Sequence, residues 1–563
     1  MDRTDRFRRR ALLALIFSIP FTSLNATAQE ESEQVLRDQA LKLLGKHVFF
    51  DSELSNPKGN QACASCHEPF AGGTSGFSDV NETSVVVPGA TAPNIGNRKP
   101  PTNTYASFTP PWQPAVPGSP CNLFAGIPFC GGNFWDGRSQ GNEFPLGNTA
   151  PAPHLGDEVF YDIENAAIVA FGQYKGPTSD QALNPMPNPA EQNIARIDVC
   201  ERVKNSIYAP LYKLAWGVDL DCSATLAYND NTHYDISFKR LMLSVGAYQH
   251  SEDINAFSSK RDMALRAELA CDGSSYPEHY DAEFCALLAE SNKDAGQFPL
   301  LLLTEEENLG HDIFYQSPFG PPGPVAAGAC ALCHSGPGED GSEPLQLYSD
   351  HSYHNIGVPH NPHIPNAPDP GLSNHLLDAL PGPVRTPTLR NTSKGAQPGV
   401  FTKAYTHNGW FKSLETLVHF YNTRDVKVRC EALIPETIPE GTELTEAVAL
   451  ANDCWPSPEF PDTAVGGPIL GNLGLTSDEE AALVAYIHTL NDAHTAEAPV
   501  LLDESNIRAR RIFTMFQMQK WDREVCVIGG VTSSAQAASH SQRPCLPLSE
   551  IIELLEEDDW LMQ

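Results

Sequence analysis

Cys63-Ala64-Ser65-Cys66-His67 and Cys330-Ala331-Leu332-Cys333-His334 are two copies of one five-residue pattern, CxxCH. The pattern suits covalent haem attachment: two thiols add across the haem vinyl groups, and the histidine that follows coordinates the iron. A chance match or half of a zinc site competes for a single copy. Two copies set that reading aside, because each follows the same kind of amphipathic segment. "ALKLLGKHVFFD" (40–51) leads into the first and "TEEENLGHDIFY" (304–315) into the second. The chain is therefore expected to carry two c-type haems.

Working outward, the start of the chain addresses export. Arg3, Arg6 and Arg8 to Arg10 form a basic stretch, Ala11 to Phe21 a short apolar run, and Ala26-Thr27-Ala28 an A-x-A cleavage pattern. Residues 1–28 are expected to be a cleaved signal peptide, and the mature protein periplasmic. No later run is long and apolar enough for stable membrane insertion. The cysteine count agrees. Of 14 cysteines, those outside the two motifs fall into sequence-near couples: Cys121/Cys130, Cys200/Cys222, Cys271/Cys285, Cys430/Cys454 and Cys526/Cys545. In an exported chain such couples read as disulfides, with neighbour pairing the simplest connectivity.

A formal net charge of −33 disfavours nucleic acid and anionic membrane, and would attract a basic protein partner. Solubility, or a salty habitat, explains the charge equally well. With 47 Pro and 41 Gly, long loops must surround the helices. The expected fold is mainly α: two cytochrome c-like haem domains with long loops and disulfide-bounded insertions. The first domain is placed at 34–262, a connecting segment at 263–296, the second domain at 297–495, and an extension of unknown role at 496–563. Helices are expected over Ile236 to Ser251, from about Ser413, and over Leu475 to Leu490; Thr304-x-x-Glu307 is a capping signature.

The order of further motifs is specific. After the first CxxCH come R-x-x-P-T (Arg98 to Thr102 in "NRKPPT"), FWDGR (Phe134 to Arg138) and "QALNPMPNPAE" (Gln181 to Glu191), and then the second CxxCH. In this the chain resembles the bacterial dihaem cytochrome c peroxidase family, which includes the MauG-type enzymes, over most of residues 34–495. The resemblance implies that hydrogen peroxide reacts at the N-terminal haem, with Gln181 and Glu191 over its open face and Trp135 between the haems. Those roles suit the chemistry, since cleaving bound peroxide needs a group that moves a proton between its oxygens. On residues alone, Glu191 also reads as a solvated loop carboxylate and Trp135 as plain core.

Departures from the family's pattern matter as much. Many members place a distal His about fifteen residues after the first CxxCH, yet no His lies between His67 and His154 and no Met between His67 and Met186. The first haem is thus expected to be open. The family holds Ca²⁺ partly with an Asn where this chain has Lys99; Thr402 and Ala404 fall at the other calcium positions, and the ammonium of Lys99 counts against the cation. At the second haem the family's Met, fourteen residues after the His of an H-x-G turn, is here Tyr421, counted from His407. MauG-type enzymes carry Tyr there, and a phenolate favours oxidised iron. The axial ligands are thus expected to be His67, His334 and Tyr421; the competing reading has Tyr421 merely packing, with His354 or another His as ligand to the second iron. His351, His360, His363 and His375 are expected to be solvated. MauG-type enzymes reach their protein substrate through a Trp just before the second CxxCH; Gly328 stands there, so that substrate is not implied.

The expected function is a dihaem peroxidase whose electrons arrive through the C-terminal haem, from a basic cytochrome c or from a protein substrate. An O₂-using oxygenase and a passive electron carrier are the alternatives.

Overall fold

The computed structural model describes residues 21–493, apart from 117, 118, 120, 122–128, 142–153, 274, 337, 365–367, 377 and 378, with side chains described from residue 33. Residues 1–20 of the expected leader, the 496–563 extension and the Cys526/Cys545 couple lie outside that range. The described chain is mainly helical, and its strands form only two-stranded pairs.

Each CxxCH is introduced by a helix that crosses a later one. The helix Phe21–Phe50 packs on His233–Gln249, and Glu305–Tyr315 packs on Ser477–His488. Both crossings hinge on a glycine at the same place in the leading segment. A Cβ on Gly45 would lie 1.8 Å from the Ser244 carbonyl oxygen, and one on Gly310 would lie 1.9 Å from that of Ala482. No side chain fits at either distance, so glycine lets the two backbones touch. The apolar stripes then interlock. Leu41, Leu44 and Val48 meet Phe238, Leu241 and Val245 in one core. Ile313 and Phe314 meet Leu483, Tyr486 and Ile487 in another, extended by Phe411, Phe420 and Trp455.

The helix ends follow from local sequence. Thr304 accepts from Glu307 N–H and Thr476 from Glu479 N–H, each the Ncap of a capping box. The helix anticipated from Ser413 runs Leu414–Thr423 with Ser413 as its cap. The helix anticipated at 236–251 runs His233–Gln249, starting earlier because Thr232 and Asp235 supply a capping box.

Four disulfides join Cys121–Cys130, Cys200–Cys222, Cys271–Cys285 and Cys430–Cys454, the neighbour pairing anticipated for them. Among the described residues the free cysteines are Cys63, Cys66, Cys330 and Cys333. The two cores are clamped together by polar contacts. Asp492 accepts from Tyr105 Oη across the seam at 2.8 Å and from Asn391 Nδ2 at 2.8 Å, while Arg390 donates to both oxygens of Asp262 at 2.7 and 2.9 Å and so fixes the helix Lys260–Leu269 to the second half. No helix among the described residues is long and apolar enough to cross a membrane.

Candidate haem sites

The two CxxCH segments are built alike. Cys63–Cys66 and Ala331–His334 each form one short helical turn, and the histidine N–H bonds back to the first cysteine carbonyl, His67 to Cys63 at 3.1 Å and His334 to Cys330 at 2.9 Å. Each ring is then fixed through Nδ1, 3.0 Å from the Gly73 carbonyl for His67 and 3.2 Å from the Tyr348 carbonyl for His334. A carbonyl only accepts, so Nδ1 carries the proton and Nε2 keeps its lone pair for iron. Burial lowers both imidazole pKa values, which keeps the rings in the neutral, ligating form. Burial pushes the Cys63 and Cys330 thiols up to about 12, which suits thiols destined for thioether bonds rather than zinc thiolates. These residues fit covalently attached haem at both places.

Above the first motif, the loop 185–194 folds onto the cysteines. Gln192 Oε1 lies 3.9 Å from Cys63 Sγ while its Nε2 donates to Leu54 O at 2.9 Å. On the other side Gln61 Nε2 lies 3.7 Å from Cys66 Sγ. Glu191 is half-buried in that loop, and its charge adds to the burial that raises the Cys63 thiol. Its own carboxyl pKa is raised by burial, against the pull of Arg138 and a 3.1 Å hydrogen bond from Asn188 Nδ2 to Oε1. This is a carboxyl poised to hold or release a proton next to a haem thiol. Gln181 is half-buried near the end of Pro177–Ala182. Arg138 and Asn188 are the partners the sequence did not single out, although Arg138 sits within the FWDGR motif.

That motif is anchored by its aspartate. Asp136 is buried, and its carboxyl is held well below the usual carboxylate range: burial acts against this, and His375, Arg98 and Arg138 outweigh it. His375 Nε2 lies 2.8 Å from Asp136 Oδ2, so His375 is tied to a buried carboxylate rather than solvated as anticipated. Trp135 is buried between the two halves. Its Nε1 donates to the Lys99 carbonyl at 2.9 Å, and its own carbonyl accepts from Arg385 N–H at 2.9 Å. Those partners lie two residues before Pro101 and Pro387, whose backbones reach His67 and His334 respectively. Trp135 thus bridges the segments that support the two proximal histidines.

At the second motif, Tyr421 is half-buried on Leu414–Thr423 and packs on the second core. Burial, with Cys333 and Cys330 close enough to act on it, pushes its phenol pKa upward. Among the described residues its hydroxyl makes no hydrogen bond, an arrangement that suits a phenol awaiting a metal ion. His354 is placed differently. Its Nε2 pairs with Asp350 at 2.7 Å, and the Asp350 N–H bonds the Cys333 carbonyl at 2.9 Å. His354, Asp350 and Cys333 bring their ligand atoms within 4.8 Å of one another, beside the attachment cysteine. His351 is another correction: it is 93 % buried between the halves (7 % exposed), not solvated. Gly328 N–H bonds the Ile313 carbonyl, and a Cβ there would lie 2.6 Å from that oxygen. A tryptophan has no room at that position.

The calcium positions do not fit a divalent cation. Lys99 is buried, its Nζ donating to Thr74 Oγ1 at 3.0 Å and Pro100 O at 3.3 Å. Lys403 Nζ donates to Asn391 O at 2.9 Å and Lys412 Nζ to Asn81 O at 2.7 Å. The Thr402 carbonyl already accepts from Asn81 Nδ2 at 3.0 Å. Burial and mutual repulsion lower the Lys99 pKa to about 8. A dication beside the buried amines of Lys99 and Lys403 and the half-buried one of Lys412 would add repulsion.

The profile of the di-haem cytochrome c peroxidase family matches residues 39–269, the span that holds the first CxxCH, Trp135 and Glu191. Methylamine utilization protein MauG of Paracoccus denitrificans is 25% identical over 496 residues, covering 85% of this chain and 96% of that protein. Over residues 39–269 the chain is thus similar to the di-haem cytochrome c peroxidase family. Members of this family carry two c-type haems, which matches the two sites described. Cytochrome-c peroxidase IdrP2 of Denitromonas iodatirespirans is 26% identical over 219 residues, or 36% of this chain and 44% of that one. The diheme peroxidase BthA of Burkholderia thailandensis shares the fold, with a TM-score of 0.51 at 22% identity over 82% of this chain and 89% of its own.

Proposed function

We propose that this protein is an exported, periplasmic oxidoreductase that reduces hydrogen peroxide at the N-terminal site and draws the electrons through the C-terminal site. When bound, haem supplies the redox change that cleaves the peroxide bond. The chain supplies the protons and the geometry. Glu191, its pKa raised by burial, takes a proton from one peroxide oxygen and returns it to the other. Gln181 orients the substrate, and Arg138 and Asn188 hold Glu191 in place. Trp135, bonded to Lys99 on one side and Arg385 on the other, is the conduit between the two sites. His67 would hold the first iron, and His334 with Tyr421 the second.

The observation that carries the reading is the half-buried Glu191, its carboxyl pKa raised by burial, in the loop that folds onto Cys63. Changing Glu191→Gln should slow the peroxide-driven spectral change by about 10²–10⁴-fold, the range for general acid–base catalysis, with haem content unchanged. Wild-type kinetics in that variant would reduce Glu191 to a loop carboxylate. The electron donor is a cytochrome c or a side chain of a partner protein, and the acidic surface suits a basic one. Tyr421 favours a MauG-like second reading, in which the oxidising power is delivered to a protein substrate.

A further inference from the structure

A small polar cavity lies between the two halves, and its walls belong to the segments that support the proximal histidines. Thr102 follows Pro101, whose backbone reaches His67; Ser349 and Thr388 follow Tyr348 and Pro387, whose backbones reach His334. Thr104 completes the floor. Into this space point two side chains that are each 7 % exposed, His351 and Arg385. His351 Nδ1 and Arg385 Nε are buried without a hydrogen-bond partner. Arg385 Nη1 makes only long contacts, 3.5 Å to Thr109 Oγ1 and 3.4 Å to Thr386 O. Among the described residues no carboxylate is within ion-pair distance of this guanidinium. Asp350, whose charge acts on it, is paired with His354 at 2.7 Å.

A buried guanidinium is costly without an anion, and a buried N–H without a partner adds to that cost. The hydroxyls around it do not meet that need. Ser349 Oγ donates to Thr386 O, Thr388 Oγ1 to Leu347 O and Thr102 Oγ1 to Gly72 O. Each hydroxyl hydrogen is committed, while the Arg385 Nε–H donor is free. The free space is about that of one water molecule, enough for one carboxylate oxygen and not for a whole organic acid lying flat.

We propose that Arg385, with His351, forms a carboxylate-receiving site between the two proximal histidines, and that this charge pairing tunes the second haem. The carboxylate oxygen comes either from a haem propionate or from a small free acid, formate being the smallest. Arg385 is thus a positioning residue, acting on the redox centre through its anion. The inference rests on the two-haem assignment and not on the peroxide reading, so haem content and potential test it without any turnover.

The experiment uses the holoprotein, with Arg385→Gln and Arg385→Lys beside wild type. Each is read by haem content per chain and by spectroelectrochemical titration, with and without sodium formate. A cation near iron favours the reduced state. R385Q should therefore shift the reduction equilibrium of the second haem by about tenfold or more toward ferric, about 59 mV for a one-electron couple, and R385K should recover most of it. If wild type ignores formate, the carboxylate is the haem's own. A saturable formate shift that disappears in R385Q assigns it to a free acid. Unchanged potentials in R385Q with no formate response overturn the proposal. Should R385Q fail to retain haem, a crystal structure of the wild-type holoprotein decides the point. A propionate or formate oxygen within hydrogen-bond distance of Arg385 Nε supports it, and a water there with both propionates elsewhere overturns it.

Discussion

Replacing Asp262 with Asn should loosen the hold of the second half on the helix Lys260–Leu269, and the size of the loss follows from the pair's geometry. Asp262 meets Arg390 through two short contacts, 2.7 and 2.9 Å, with side chains 3 % and 0 % exposed. Burial alone would raise the Asp262 pKa, and Arg390 outweighs it, bringing it from 3.8 to about 2. At about 1.4 kcal/mol per pKa unit, that shift is on the order of 2–3 kcal/mol of preference for the charged form. Asn removes that term and leaves the Arg390 guanidinium buried without its carboxylate, with Arg261 beside it. Breaking one partner of a buried pair costs about 3–5 kcal/mol, and that is the loss expected for D262N in denaturant unfolding of the holoprotein at pH 7. The pH dependence has a definite sign. The folded pKa lies below the unfolded one, so the stabilisation is complete above pH 3.8 and is lost as pH falls through about 2. The gap between wild type and D262N should narrow over that window. A loss under about 1 kcal/mol, or a gap indifferent to pH there, would refute the reasoning.

Other expectations concern the sites. The diferric protein should show one high-spin and one low-spin haem by electron paramagnetic resonance, because Met186 is buried in the first core and His154 is paired with Asp180; two low-spin signals alone would contradict it. Tyr421→Phe should abolish the low-spin signature of the second haem, and Tyr421→Met should raise its potential, since a neutral thioether favours ferrous iron relative to phenolate. If the spectrum of Y421F matches wild type, another residue is the ligand. Gly310→Ala should lower the melting temperature, an overpacking cost of about 1–3 kcal/mol, because the new methyl meets the Ala482 carbonyl; an unchanged melting point would mean the helices separate freely.

Much of this was legible in one dimension because the chemistry is local. CxxCH, the capping boxes at Thr304 and Thr476, and four disulfides between sequence neighbours each draw on residues within a short window. The glycine at each helix crossing had a signal too, since Leu-Gly recurs at the same place in both leading segments as Gly45 and Gly310. What could not be read depends on long-range burial. His351 and His375 lie in a Pro- and Asn-rich loop that looks solvated, yet one is buried against the first half and the other pairs with Asp136, more than two hundred positions away. The amines of Lys403 and Lys412 likewise became relevant only when folding brought them near Lys99. Trp135 was found by motif, but its grip on both Lys99 and Arg385 is a tertiary fact.

The central claim is that the first haem meets peroxide through an open face with Glu191 above it, and needs no prior reduction. Stopped-flow absorbance of the diferric holoprotein mixed with hydrogen peroxide, with no reductant present, tests it most directly. The account predicts a rapid change in the haem spectrum whose rate rises linearly with peroxide concentration. A diferric protein that stays silent until half-reduced would contradict it.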